Sequence, residues 1–189
     1  MKFLDIYNTL ERLSNLMRNE MRKEGGRFGL QPVQLEALHY LSICNRYSDT
    51  PKAVTDYLGQ TKGTVSQSLK ILERDGLIEK CIDLKDKRVT HLKLSLKGKE
   101  ILHQAIPGEI WTELKTSEIL NETEQKQIGT ILQSLLKALQ QANNFKRFGV
   151  CKTCRYNKSL GQDRFHCQLT NESLSVIEVE KICAEHEKY

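Results

Sequence analysis

The feature that most constrains this chain is a change of hydrophobic period near residue 77. Upstream, Val65, Leu69 and Leu72 recur at i, i+4 and i+7, the spacing of one helix face. Downstream, Leu77, Ile78, Cys81 and Ile82 form one run. His91, Leu92, Leu94 and Leu96 form another, broken by Lys93, Ser95 and Lys97 at a period of two. The stretch Asp83-Leu84-Lys85-Asp86-Lys87-Arg88 between them is polar, so the segment reads as a β-hairpin with a charged tip. Two short helices precede it. Residues Lys52 to Leu58 supply Ala53, Val54 and Leu58 to an interior, and Gly59-Gln60 makes a tight turn. Thr61 then caps a helix running to about Asp75, which Gly76 ends.

The flanks are helical. Leu4, Leu10, Leu13, Leu16 and Met17 mark an amphipathic helix from Asp5 to about Lys23, with Gly25-Gly26 as its expected end. Gln31-Pro32 opens a second helix carrying Leu35, Leu38, Leu41 and Ile43, and Tyr47 to Pro51 reads as a turn. A helix is expected to resume after Gly98 and to break at Pro107-Gly108. Asn121 and Glu124 form a capping box for a last long helix through Ile128, Ile131, Leu132, Leu135, Leu136 and Leu139 to about Ala142. Residues Asn143 to Val150 read as a hinge. No window approaches the roughly 18 apolar residues that a membrane-spanning helix needs. The opening Met1-Lys2-Phe3-Leu4-Asp5-Ile6 lacks the apolar stretch of a secretion signal, so a cytoplasmic location is expected.

The chemistry of the central segment suits double-stranded DNA. The helix after Thr61 keeps its apolar residues on one face and offers Lys62, Thr64, Ser66, Gln67, Ser68 and Lys70 on the other. Hydroxyls and amides reach base edges, and lysines reach phosphates. Free backbone N–H groups at the Thr61 end favour a phosphate. The whole chain carries a net charge of +5, and residues 52–100 hold 11 basic against 7 acidic side chains, so most of the excess lies here.

The runs Thr61-Lys62-Gly63-Thr64-Val65-Ser66-Gln67, Leu72-Glu73-Arg74-Asp75-Gly76-Leu77-Ile78, Asp83 to Arg88, and Leu94-Ser95-Leu96-Lys97-Gly98 together resemble the MarR (multiple antibiotic resistance regulator) family of transcription factors. The resemblance spans about residues 5–142, and Asp86 with Arg88 is its most specific part. It implies a winged helix-turn-helix in which Arg88 enters the minor groove and Asp86 orients it, with Lys87 beside them. It also implies a homodimer interlocked through Leu4–Met17 and the region from Trp111 to Leu139. Two-fold symmetry would then match a pseudo-palindromic operator. A small-molecule effector is left open. Some members of the family sense peroxide through a first-helix cysteine; this chain has none there, and Cys44 and Cys81 read as small buried residues.

A tail beyond that resemblance carries Cys151, Cys154, Cys167 and Cys183. Cys-x-x-Cys puts two thiolates on one turn, and in a reducing compartment such a cluster points to metal rather than disulfides. The spacing matches neither the usual zinc ribbon nor the common ferredoxin patterns. Zinc is the first expectation, an iron–sulfur cluster the alternative, and metal-free thiol switching a third. His166 and His186 could replace a sulfur, and each reads more simply as a surface or supporting residue. Ser175 and Glu178 form a capping box, and the helix that follows is expected to carry Ile182 and Cys183. Lys146, Arg147, Lys152, Arg155, Lys158 and Arg164 make the start of the tail basic, either a solvated surface or an added phosphate contact.

The expected architecture is mainly α with a small β-hairpin wing, a helical dimerisation region and a small metal-binding tail. Residues 1–145 form the first unit, its DNA-reading part about 32–98, and residues 146–189 the second. The expected function is DNA-binding transcription regulation, more simply repression than activation. Two other classes compete: a metal or redox protein built on the cysteines, and a protein-interaction module without an operator. No nucleophile–base pair, glycine-rich phosphate loop or His-Glu-x-x-His stretch supports an enzyme.

Overall fold

The computed structural model describes residues 3–117, 119–142 and 148–187. Four helices come first: α1 (Phe3–Gly26), α2 (Pro32–Ile43), α3 (Pro51–Leu58) and α4 (Lys62–Arg74). Strands β1 (Ile78–Ile82) and β2 (Thr90–Leu94) pair antiparallel, with Ile78 opposite Leu94 and Ile82 opposite Thr90. Helices α5 (Leu96–Ala105), α6 (Glu109–Thr116) and α7 (Glu122–Ala142) follow. The tail contains β3 (Gly149–Val150), a 3-10 turn at Cys151–Thr153, β4 (Asn157–Ser159), β5 (Phe165–Cys167), β6 (Glu172–Leu174), α8 (Val176–Val179) and β7 (Ile182–Cys183). Strands β4, β5 and β6 form one antiparallel sheet, and β3 pairs with β7. No described helix is long and apolar enough to cross a membrane.

Local signals place the DNA-reading elements. Thr50 caps α3 by accepting from the Ala53 N–H, with Pro51 at the first helical position. Gly59 ends α3 in the left-handed region at φ +62, a conformation that a side chain would strain. The core is made by α2, α3, α4 and the hairpin: Leu35, Leu38, Tyr40, Val54, Leu69, Leu72, Ile78 and Leu92 are all but inaccessible to solvent. These elements bury one face each, so the opposite face of α4 is free to carry chemistry.

The structure differs from the sequence reading at several points. Helix α1 runs through Gly25 and Gly26, and the chain turns at Arg27 to Gly29 instead. Gly25 sits close under the Leu30 carbonyl, where the absence of a side chain serves packing within the helix. Gly98 likewise lies inside α5, not before it, because Ser95 caps that helix by accepting from the Gly98 N–H. A Cβ on Gly98 would stand 2.2 Å from the Leu77 carbonyl oxygen, so glycine lets α5 touch the start of β1. Ile182 and Cys183 form a strand, not a helix: α8 stops at Val179 and the chain extends to pair with Gly149-Val150. The expected hinge falls partly outside the described residues, at 143–147. Its remainder is packed: Phe148 meets the rings of Tyr40 and Tyr57 edge-on, at centroid distances of 5.9 and 5.1 Å.

Candidate nucleic-acid interface and cysteine module

Helix α4 is aimed by its own amphipathicity. Val65, Leu69 and Leu72 anchor it in the core, which leaves Lys62, Thr64, Ser66, Gln67 and Lys70 exposed. The Thr61 hydroxyl oxygen accepts from the Thr64 N–H at 3.2 Å and lies 2.9 Å from the Thr64 hydroxyl. Ser68 is a correction: it is buried, and its hydroxyl donates to the Thr64 carbonyl at 2.9 Å. It lies one residue before Leu69 on the inward side of α4, so it is not placed to read bases.

Helix α3, α4 and the hairpin bound a groove of about 730 Å³. Its lining includes Lys52, Lys62, Ser66, Lys70, Lys80 and Arg88, with Asp56 as a carboxylate among them. Lys80 is paired with Glu73. The groove therefore presents a mostly cationic wall beside the polar face of α4, as a phosphate backbone requires.

At the hairpin tip, Asp86 fixes Arg88 from both carboxylate oxygens. Oδ1 accepts from the Arg88 backbone N–H at 3.0 Å and from Nε at 2.9 Å; Oδ2 accepts from Nη2 at 2.8 Å. Those hydrogen bonds from Arg88 hold the Asp86 carboxyl below its ordinary range. The guanidinium is 90% exposed, so the pair adds little to stability. Its effect is geometric, giving a flexible side chain one direction. Asp83 shapes the same tip by accepting from the backbone N–H groups of Lys85 and Asp86, at 2.7 and 2.6 Å.

His91, which the sequence places only in the second strand of the hairpin, positions the wing. Its Nδ1 bonds Asp49 Oδ1 at 2.5 Å and its Nε2 bonds Asp83 Oδ2 at 3.2 Å, tying the wing to the turn before α3. Burial pulls the imidazole pKa down, but the hydrogen bonds and charges of Asp49 and Asp83 outweigh it, and the net shift is upward. Asp49 lies 42 positions away in sequence, so only tertiary structure reveals the partnership.

The expected dimerisation helices leave their apolar faces uncovered. Leu4 in α1 and Ile131 in α7 are each 65% exposed, and Leu13, Leu16, Met17, Trp111, Leu132, Leu136 and Leu139 are exposed as well. None of the described side chains of α7 is buried.

The tail cysteines gather in one small module. Cys151, Cys154 and Cys183 are buried and Cys167 half-buried, all as free thiols. Burial first, then the neighbouring Cys183, Cys154 and Cys167, push the Cys151 thiol up to about 12. Two sulfurs accept hydrogen bonds: Cys154 Sγ from the Glu187 N–H at 3.5 Å, and Cys151 Sγ from Asn157 Nδ2 at 3.8 Å. Among the described residues, no three Cys, His, Asp or Glu side chains stand close enough to form a metal cage as they are placed. His186 is buried; its Nε2 lies 2.9 Å from the Thr153 hydroxyl, and its ring covers Gly149 so closely that a Cβ there would stand 2.6 Å from it. It thus braces the Cys151–Cys154 turn. His166 is half-buried on β5, its Nε2 3.1 Å from Asn171 Oδ1. Lys152 pairs with Glu180 and Arg155 with Glu187, so both cations have partners inside the module. Lys146 and Arg147 lie outside the described residues.

Cys44 is buried at the C-cap of α2, and burial pushes its thiol up to about 12. Cys81 is half-buried opposite His91 in the hairpin.

Comparison with known proteins agrees with this geometry. The MarR family profile matches residues 28–89, which span α2 to the wing tip. The transcriptional repressor MprA of Escherichia coli is 29% identical over 130 residues, covering 66% of this chain and 69% of that protein. An uncharacterised HTH-type transcriptional regulator of Bacillus cereus is 30% identical over 125 residues, covering 66% of this chain and 80% of that one. The crystal structure of a MepR–DNA complex from Staphylococcus aureus shares the fold, with TM-score 0.55 at 23% identity, over 73% of this chain and 98% of that one. The chain belongs to the MarR family: it is a winged-helix, DNA-binding transcription regulator and not an enzyme.

Proposed function

We propose that the protein is a homodimeric repressor that reads a pseudo-palindromic operator, with α4 in the major groove and Arg88 in the adjacent minor groove. The observation that carries this reading is the Asp86–Arg88 fork, standing across a cationic groove from the exposed face of α4. Thr61, Lys62, Thr64, Ser66, Gln67 and Lys70 supply base and phosphate contacts, and Lys87 supplies charge at the wing. MprA, a named repressor, and MepR, solved with DNA, support repression and DNA as the partner. The uncovered faces of α1 and α7 support the dimer, since a stable monomer rarely exposes so contiguous an apolar surface. Selection of duplexes from a random pool tests this: recovered sites should share two half-sites about one helical turn apart, bound by a species sedimenting as a dimer. Sites without two-fold symmetry, or a monomer in solution, would overturn it.

The finer reading concerns the tail, where Cys151, Cys154, Cys167 and Cys183 would hold one zinc ion as four thiolates. The Cys151–Cys154 turn, the presence of Cys167 and Cys183 in the same module and the hydrogen bonds onto two of the sulfurs support it, since N–H donors stabilise thiolates. Protein purified without air should be colourless and contain one zinc per chain. A brown protein with iron and acid-labile sulfide would replace zinc with a cluster, and metal-free protein would remove the site.

A further inference from the structure

The cysteine module does not hang from the body; it grips the parts of the body that aim the wing. Strand β7 lies beside the end of α2: Ile182 forms a parallel bridge with Cys44, and the Asn45 N–H donates to the Ile182 carbonyl at 2.9 Å. Two residues on, the Ala184 N–H donates to the buried Ser48 hydroxyl at 2.8 Å. That hydroxyl donates in turn to Asn45 Oδ1 at 2.8 Å, and the Ser48 carbonyl accepts from the Tyr40 hydroxyl at 2.7 Å. Cys183 therefore sits between two residues locked to the turn before α3. That turn also carries Asp49, which holds His91 of the wing.

A second grip is electrostatic and reaches the wing itself. Glu172, at the start of β6, accepts from Lys85 Nζ of the wing tip at 2.7 Å, from the Tyr47 hydroxyl at 2.9 Å and from Arg46 Nη2 at 3.2 Å. Arg46 also bonds the Ser173 carbonyl and Glu178, at 2.9 and 2.7 Å. Glu172 stands directly opposite Cys167 across β5 and β6. Two of the four cysteines are thus immediate neighbours of the two places where the module holds the body.

We propose that the cysteine module is a latch: metal held by its four thiolates fixes β7 and Glu172, and through Ser48 and Lys85 they fix the wing that carries Arg88. The proposal rests on reading those cysteines as a metal site. The sulfurs come from the Cys151–Cys154 turn, β5 and β7, so one ion sets the positions of all three relative to one another. Losing it frees β5 from β7, and with them the Glu172–Lys85 and Ala184–Ser48 contacts. Lys85 then loses its fixed direction, the hairpin that carries Lys87 and Arg88 loses its anchor on the module, and DNA affinity falls.

The test measures zinc content and affinity for a duplex selected by the protein itself, for the wild type and E172Q, each zinc-loaded and chelator-stripped. Stripping should weaken wild-type binding about tenfold, the loss of roughly one groove contact. E172Q should retain one zinc per chain, bind DNA weakly even when loaded, and respond little to stripping. Full zinc with DNA affinity unchanged by stripping overturns the latch and leaves the metal site standing. Failure of the wild type to bind zinc overturns the site and the latch together. Should stripping unfold the chain, zinc-loaded E172Q binding as tightly as the loaded wild type still overturns the proposal.

Discussion

The winged-helix body and the cysteine module hold their shapes by different means. The body has a continuous apolar core from Leu30 through Leu92 to Ala105, which Ala184 of the tail joins and against which Phe148 and Ile182 pack. The module's buried cluster is Cys151, Leu174 and Val179, and one of the side chains packed against it, Tyr47, belongs to the body. So small an apolar set cannot offset the entropy of ordering some 40 residues, and such segments rely on a metal, disulfides or a neighbour. The difference teaches a direction of dependence: the module leans on the body more than the body leans on the module, which adds only Phe148, Ile182 and Ala184 to the large core.

Truncating the body's core gives the largest effect. Leu38 is completely buried, so Leu38→Ala should cost about 2–5 kcal/mol. Hydrogen exchange should show body and module loosening together. A module that stays protected while the body opens would break the proposed dependence. Gly149→Ala tests the reverse direction. Its Cβ would overlap the His186 ring, at a cost of about 1–3 kcal/mol confined to the module. Exchange should rise at Cys151–Ser159 and not at Leu35–Leu41; equal loosening of both would make them one cooperative unit.

Ser68→Ala sharpens the contrast between the two faces of α4. The buried hydroxyl and its bond to Thr64 are lost, at about 0.5–1.5 kcal/mol of stability. DNA affinity should not change; a large loss would return Ser68 to the reading face. The smallest effect is in pH. The upward-shifted His91 stabilises the wing fully below about pH 6.5, the ordinary histidine value, and loses that contribution as pH rises through its folded-state value. The stability gap between wild type and His91→Gln, under about 1 kcal/mol, should therefore be largest near pH 6 and shrink by about pH 9. A gap that widens with pH would contradict the assignment.

What could be read beforehand followed from signals local to the chain. Thr61 caps its helix, Gly59 and Gly76 turn the chain out of α3 and α4, and the two-residue period after Leu77 makes the wing. Asp86 and Arg88 were legible through the family resemblance, and their separation of two residues lets the carboxylate reach the guanidinium. The rest depends on partners distant in sequence. Gly98 reads as a helix boundary until Leu77 is seen against it, and Ser68 reads as exposed until the axial rotation of α4 is known. Ile182 and Cys183 follow a capping box, which signals a helix but not its length; their strand partner, Gly149-Val150, lies more than 30 residues back. His91 and Glu172 could not have been picked out, since each gains its role from residues on other elements.

The central claim, that this chain reads DNA through α4 and the wing, is tested most directly by titrating the selected duplex with the wild type and Arg88→Ala side by side. The substitution removes the forked guanidinium and leaves the buried core untouched. The account predicts weaker binding by about 1–3 kcal/mol, a shallower salt dependence and an unchanged melting temperature. Equal affinity of the two proteins would contradict it.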